Sequence, residues 1–284
     1  GRTVAAHLSV NLSTTSLCVF VFFKNQRNGT FTDHKSASAL IERQGCFGWI
    51  FRSGKRMHIC KACNRRRDNR SFRTTGDDGI CIKSGKDADG RRRARPCKNL
   101  IVDNCTVFHG HGGFTVGSEM SGGVENIKVS NCRFLGTDVG LRFKSTRGRG
   151  GVVKNIYISD IYMKDILADA ILFDLFYGGK SAVEAAAEKD ETVNVPAVPV
   201  DETTPEFRDI YISNVCCNGA SRAMLFNGLP EMPVTNINVS DCTITADEGI
   251  TLRNSQDITF KNVKCYPEKG DAITTLRVKN FNNI

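Results

Sequence analysis

The chain has 284 residues, 40% of them hydrophobic, and a formal net charge of +9. That length and apolar content can bury a large core, and no apolar run approaches the roughly 18 to 20 residues of a membrane-spanning helix, which excludes a helical membrane protein. The charge is unevenly placed: residues 1–75 hold 14 Lys+Arg against 3 Asp+Glu and residues 76–284 hold 25 against 27, and without a coherent basic face bearing aromatics no nucleic-acid partner is expected.

Residues 1–74 show no sustained helical or strand period. The stretch 16–23 is apolar but short and reads as a buried strand, with the remnant of a signal sequence as the alternative; 37–43 reads as a helical turn. Arg65, Arg66, Arg67 and Arg70 concentrate the positive charge. Cys60 and Cys63 have the spacing of half a zinc site, yet no second pair or suitably spaced histidines completes it, so neither metal nor cofactor is expected.

The texture changes at Gly76-Asp77-Asp78-Gly79, where two adjacent carboxylates sit between glycines and run into a short apolar strand. Adjacent acids beside glycine most often mark a turn. A repeat then begins. The segments at 99–105, 126–132, 155–161, 209–215, 236–242 and 257–263 each read Asn/Asp, apolar, variable, apolar, polar, Asn/Asp, apolar. Their second residues fall at 100, 127, 156, 210, 237 and 258, in steps of 27, 29, 54, 27 and 21. The step of 54 is two coils, or one coil with an insertion.

Short β-branched strands recurring every 20 to 30 residues signal a solenoid. Alternation puts Ile127 and Val129 on one face and Lys128 on the other, and Asn or Asp at the turns tolerates a left-handed backbone. The predicted fold is an all-β, right-handed parallel β-helix over 75–284, below an irregular basic region 1–74. Cys105, Cys132 and Cys242 close equivalent segments and read as stacked buried thiols rather than a disulfide framework. The stretch 180–205, with Pro196, Pro199 and Pro205 among acidic residues, breaks the rhythm and reads as a surface insertion. The repeat still runs near Ile284, so a C-terminal cap is expected to be missing.

Three further clusters depart from scaffold logic. In His109-Gly-His111-Gly-Gly113 the glycines leave an imidazole exposed; a solvated turn histidine is the bland alternative. Arg142 and Lys144 stand two apart on one strand and so share a face, where two cations repel unless an anion meets them; an acidic ligand supplies one, and a solvated face is the alternative. Tyr177 stacks on a sugar or simply packs. These residues follow Asp77 and Asp78 in order, about one coil apart, so stacking is expected to gather them on one side of the solenoid.

Gly-Asp-Asp at 76–78, Gly-His-Gly at 110–112 and Arg-x-Lys at 142–144 resemble three of the four signature motifs of the polygalacturonase family, glycoside hydrolase family 28. The stretches at 84–90, 117–123 and 228–233 are similar to its bacterial members, those cleaving pectic oligosaccharides. The resemblance covers about 76–284 and implies inverting hydrolysis of α-galacturonosyl linkages in pectin, polygalacturonan or rhamnogalacturonan. It makes Asp77 the general acid, Asp78 a residue that activates water, and His111 a support for the acid's protonation. Arg142 and Lys144 become the ligands of the galacturonate carboxylate, with Tyr177 and Lys83 counted beside them. It further implies a pectic polysaccharide or oligogalacturonide as partner, a monomer, and a secreted or periplasmic location.

The resemblance departs at the family's first motif, which supplies a third carboxylate about twenty residues before the Asp pair. Residues 54–63 contain neither Asp nor Glu. Out-of-frame translation upstream of about residue 70 accounts for this, an authentic but divergent region being the alternative. Two other functions stand beside hydrolysis: a non-catalytic β-helix that binds acidic polysaccharide, and a calcium-dependent lyase, for which Asp87-Ala-Asp89-Gly90 resembles a fragment of a calcium loop.

Overall fold

The computed structural model describes residues 77–180, 182–186 and 191–284, together with the backbone of three short upstream strands. Those strands are β1 (Val19–Phe20), β2 (Ile50–Ser53) and β3 (Arg56–Ile59). The helical turn expected at 37–43, Cys60 and Cys63, the arginines at 65–70 and the out-of-frame reading lie outside the described residues.

From residue 80 the elements run β4 (Ile80–Ile82), α1 (Asp87–Arg93), β5 (Cys97–Asp103), β6 (Thr106–Phe108), β7 (Phe114–Gly117), β8 (Val124–Leu135), β9 (Leu141–Lys144) and β10 (Val152–Asp174). Then come α2 (Ala182–Ala186), a 3-10 turn (Glu191–Asn194), β11 (Glu206–Asn227) and β12 (Val234–Asn283). From β4 onward, every pairing between these strands is parallel and joins one coil to the next. The fold is a right-handed parallel β-helix.

The repeat read in the sequence is the register of one face. Leu100, Ile127, Ile156, Ile210 and Ile237 are consecutive partners, as are Val102, Val129, Ile158, Ile212 and Val239. All are buried, whereas Lys128, Tyr157 and Tyr211 occupy the outward position between them. Because Ile156 pairs directly with Ile210, the step of 54 is one coil carrying an insertion.

The polar ends of each repeat segment make the corners. Asn126 and Asn131 have φ of 57° and 54°, Asn155 and Asp160 55° and 59°, Asn236 and Asp241 both 52°. A short amide or carboxylate side chain tolerates this left-handed region and bonds locally, which most side chains do not. The corners are also cross-linked between coils: Asn131 donates to Asp103 at 2.8 Å, Asn236 to Asp209 at 2.7 Å and Asn262 to Asp241 at 2.9 Å.

A second face stacks Ile82, Val116, Phe143, Phe173, Phe226 and Leu252 inward. The Phe143 and Phe173 rings lie 4.6 Å apart and nearly parallel, and Phe226 continues the row at 4.8 Å. Burying each ring stabilises by about 1.5–3 kcal/mol, so this row fixes the coil register beneath the outward residues Arg142 and Lys144. Cys105, Cys132 and Cys242 are free and buried. Among the described residues no helix is long and apolar enough to cross a membrane.

The insertion lies on the outside of that second face. Ala182 of α2 packs with Val139, Ala168, Leu172 and Leu225 in a small cluster separate from the main core. Arg147 Nη2 donates to the Pro196 carbonyl at 3.0 Å and Arg277 Nη2 to the Val193 carbonyl at 2.6 Å. Apolar contact and arginine bonds to backbone carbonyls therefore hold the excursion against the sheet that carries Arg142.

Candidate active site

Asp77 and Asp78 precede β4, where the alternation of a regular strand does not operate. Asp77 is exposed and accepts the Asp78 amide at 2.8 Å, while Asp78 is only 1% exposed. Two glycines make this possible. A Cβ on Gly79 would stand 2.3 Å from Val107, and one on Gly112 would meet Thr115 Oγ1 at 2.1 Å and Asp78 at 3.0 Å. Gly76, the other position where a bend is expected, lies outside the described residues.

Register carries the cations to the acid. Cys81, Thr115 and Arg142 are partners across β4, β7 and β9, and Lys144 pairs with Gly117. Lys144 Nζ donates to Asp78 Oδ2 at 2.7 Å, Arg142 Nη1 to Oδ1 at 3.3 Å, and Thr115 Oγ1 to Oδ1 at 3.0 Å. Cys81 Sγ lies 3.6 Å from Oδ2 and contributes a weak donor. Burial pushes the Asp78 carboxyl up, but the charges of Lys144 and Arg142 and the hydrogen bonds outweigh it and hold the group below the usual carboxylate range.

The face shared by Arg142 and Lys144 is thus not solvated. They are 2% and 5% exposed, and the anion that meets them is Asp78, two coils away. Asp174, the register partner of Lys144, is a second buried carboxyl under the charge of Arg142. Tyr177 covers the two cations, its ring centre 4.9 Å from Lys144 Nζ and 5.6 Å from the Arg142 guanidinium carbon. Arg142 also donates to the carbonyls of His111 at 3.3 Å and Lys180 at 3.4 Å, and its Nε has no partner among the described residues.

His111 is placed beside Asp77 by the backbone, its amide donating to the Asp77 carbonyl at 3.1 Å. Lys83 pairs with Glu119 at 2.8 Å at the edge of the patch. Asp77, Asp78, His111, Arg142, Lys144 and Tyr177 thus form one cluster, with Lys83 turned to its own partner. Asp87 and Asp89 belong to α1 rather than a calcium-like loop, Asp87 pairing with Arg149 and Asp89 with Arg92 and Arg93.

Sequence reasoning missed Asp174 and Asp138. Asp174 is the register partner of Lys144 on the next coil and accepts the Phe176 amide at 3.0 Å and Asn227 Nδ2 at 3.2 Å. Burial pushes its carboxyl up to about 6. A carboxyl raised in the folded state holds its proton more tightly there than in the unfolded chain. Its ionisation therefore costs nothing below about pH 4, costs progressively more up to about pH 6, and a constant amount above. Asp174→Asn keeps an oxygen for both donors and is expected to stabilise the fold at pH 8 by on the order of 1–3 kcal/mol, with little gain at pH 4. Thermal melts at the two pH values check this; equal gains at both would overturn it.

Residues 69–223 match the family model described as Glycosyl hydrolases family 28. The chain is 30% identical over 229 residues to a probable polygalacturonase of Vitis vinifera, covering 76% of this chain and 43% of that protein. It resembles the crystal structure of a hyperthermoactive exopolygalacturonase from Thermotoga maritima at 30% identity and a TM-score of 0.57, covering 68% of this chain and 40% of that one. A family 28 exopolygalacturonase of Yersinia enterocolitica, at 22% identity and a TM-score of 0.62, shares the fold over 74% of this chain and 36% of its own. The chain spans less than half the length of each of these relatives.

Proposed function

The chain belongs to glycosyl hydrolases family 28, and from that premise we propose that it hydrolyses α-galacturonosyl linkages of pectic polysaccharide or oligogalacturonide. The observation that carries the reading is the Asp78–Lys144–Arg142 cluster under Tyr177, beside the exposed Asp77 and His111. It combines a reachable acid with two buried cations beside it, charges that a substrate made of carboxylate-bearing sugars can engage.

Asp77, the carboxyl open to solvent, donates its proton to the glycosidic oxygen as the bond to the anomeric carbon breaks. A water adds to that carbon from the opposite face and gives its proton to Asp78, inverting the configuration. In the unliganded arrangement the Asp78 oxygens are taken up by Lys144, Arg142 and Thr115. The galacturonate carboxylate is the competing anion: by drawing Lys144 and Arg142 toward itself it releases an Asp78 lone pair to the water. Substrate binding and base activation are then one event. The expected setting is outside the cytoplasm, with the chain acting as a monomer.

The test is reducing-sugar release from polygalacturonate and oligogalacturonides, with and without EDTA. Release unaffected by EDTA, without unsaturated products absorbing in the ultraviolet, is the expected result. Calcium-dependent appearance of unsaturated products would make the chain a lyase, and retention of the polymer without product would make it a binding module.

A further inference from the structure

We propose that Asp138 is the positioning residue of His111, an inference that rests on the hydrolase reading and names a residue whose role that reading leaves open. Asp138 lies on the turn between β8 and β9, and its amide donates to the Gly110 carbonyl at 2.8 Å. Together with the His111 amide on the Asp77 carbonyl, this stacks three titratable side chains, one per coil: Asp77, His111, Asp138. The spacing is that of the solenoid itself. His111 and Asp138 are 27 residues apart, the step that separates Leu100 from its register partner Ile127.

His111 Nδ1 stands 2.6 Å from Asp138 Oδ2. An ionised carboxylate only accepts, so at this contact Nδ1 carries the hydrogen. The ring is then fixed in orientation, and Nε2, across it, is the nitrogen free to serve the reaction. No described residue bonds Nε2, and the His111 side chain is 38% exposed against 16% for Asp138. The dyad thus has a sheltered end and an open end, on the coil next to that of Asp77. Of the charged residues nearby, Asp77 holds the His111 amide through its carbonyl, Arg142 donates to the His111 carbonyl and Lys83 is within electrostatic range of Asp77; on the coil beyond, Asp169 is taken by Arg222 at 2.6 Å.

After each turnover Asp77 is left as a carboxylate and must regain a proton. The inferred step is that Nε2–H of the imidazolium gives its proton to Asp77, Asp78 releases to solvent the proton it took from the attacking water, and the neutral Nε2 takes one back from solvent, while Nδ1–H stays on Asp138 throughout. The proton count closes without any other reactant. Asp138 touches neither substrate nor reacting atoms; it acts by holding the ring and its tautomer.

The experiment pairs kinetics with nitrogen NMR on histidine-labelled full chain. Wild type is expected to show His111 with the hydrogen on Nδ1. Asp138→Asn, whose amide offers a hydrogen to that nitrogen, is expected to move His111 toward the Nε2–H form and to lower kcat on the order of 10- to 100-fold with KM within about twofold. Asp138→Glu, which keeps the carboxylate, is expected to recover part of kcat. A wild-type His111 protonated on Nε2 alone would overturn the inference, as would a tautomer change in Asp138→Asn that leaves kcat intact. The wild-type spectrum needs no variant, so a misfolded Asp138→Asn does not shelter it. If wild type releases no sugar, the hydrolase reading has failed, and the nitrogen shifts alone decide whether the dyad exists.

Discussion

Asp77→Asn is expected to cut reducing-sugar release from polygalacturonate by about 10²–10⁴-fold, the range that a positioned general acid contributes, while leaving the fold intact. The side chain is exposed, and the Asp78 amide it accepts is a bond that an Asn oxygen reproduces. Removing it therefore takes away a proton and little structure. The KM is expected to hold, because the charges that would bind the substrate carboxylate, Lys144 and Arg142, belong to other coils and contact Asp78. Initial rates over a range of substrate concentrations, with a melting curve of each protein, separate the two effects. A variant that keeps more than half of wild-type kcat would remove Asp77 from the chemistry and leave the exposed carboxylate as a turn residue.

Much of the scaffold was legible because a solenoid writes its register into its period. The Ile row at 100, 127, 156, 210 and 237 appears in the structure as consecutive partners, and the Asn/Asp ends of each segment occupy the left-handed corners. Gathering of the site followed from the same arithmetic, since Asp78, Thr115, Arg142 and Lys144 come from neighbouring coils of one face. Which charges meet was not legible. That Arg142 and Lys144 turn to Asp78, rather than to solvent, depends on Gly112 letting Thr115 and Asp78 approach and on Tyr177 closing over them. The partnership of His111 with Asp138 was within reach, because 27 residues is one coil, but only once the corner geometry showed that both side chains leave the backbone at the same place. The third carboxylate that the resemblance leads one to expect would fall upstream of residue 77, outside the described residues and where sequence period was absent.

Asp78→Asn is expected to destabilise the fold by about 3–5 kcal/mol, because it leaves Lys144 and Arg142 buried without the carboxylate that neutralises them. Lys144→Met alone is expected to cost less, since Arg142 and Thr115 still meet Asp78. The double variant is expected to be more stable than the two single costs predict, by on the order of 1–3 kcal/mol, because a buried lysine without its partner is worse than none. Urea denaturation of the four proteins measures that coupling. The pH dependence carries the same sign. Asp78 is held below the usual carboxylate range in the folded state, so its contribution is present above about pH 4 and is lost as pH falls through the lower folded value. Asp78→Asn should therefore flatten the acid-side loss of stability. A cost below about 1 kcal/mol, with no coupling to Lys144, would mean that the cations are tolerated unpaired. That result would also remove the basis for substrate-driven release of Asp78, since an anion can only compete for cations that another anion holds.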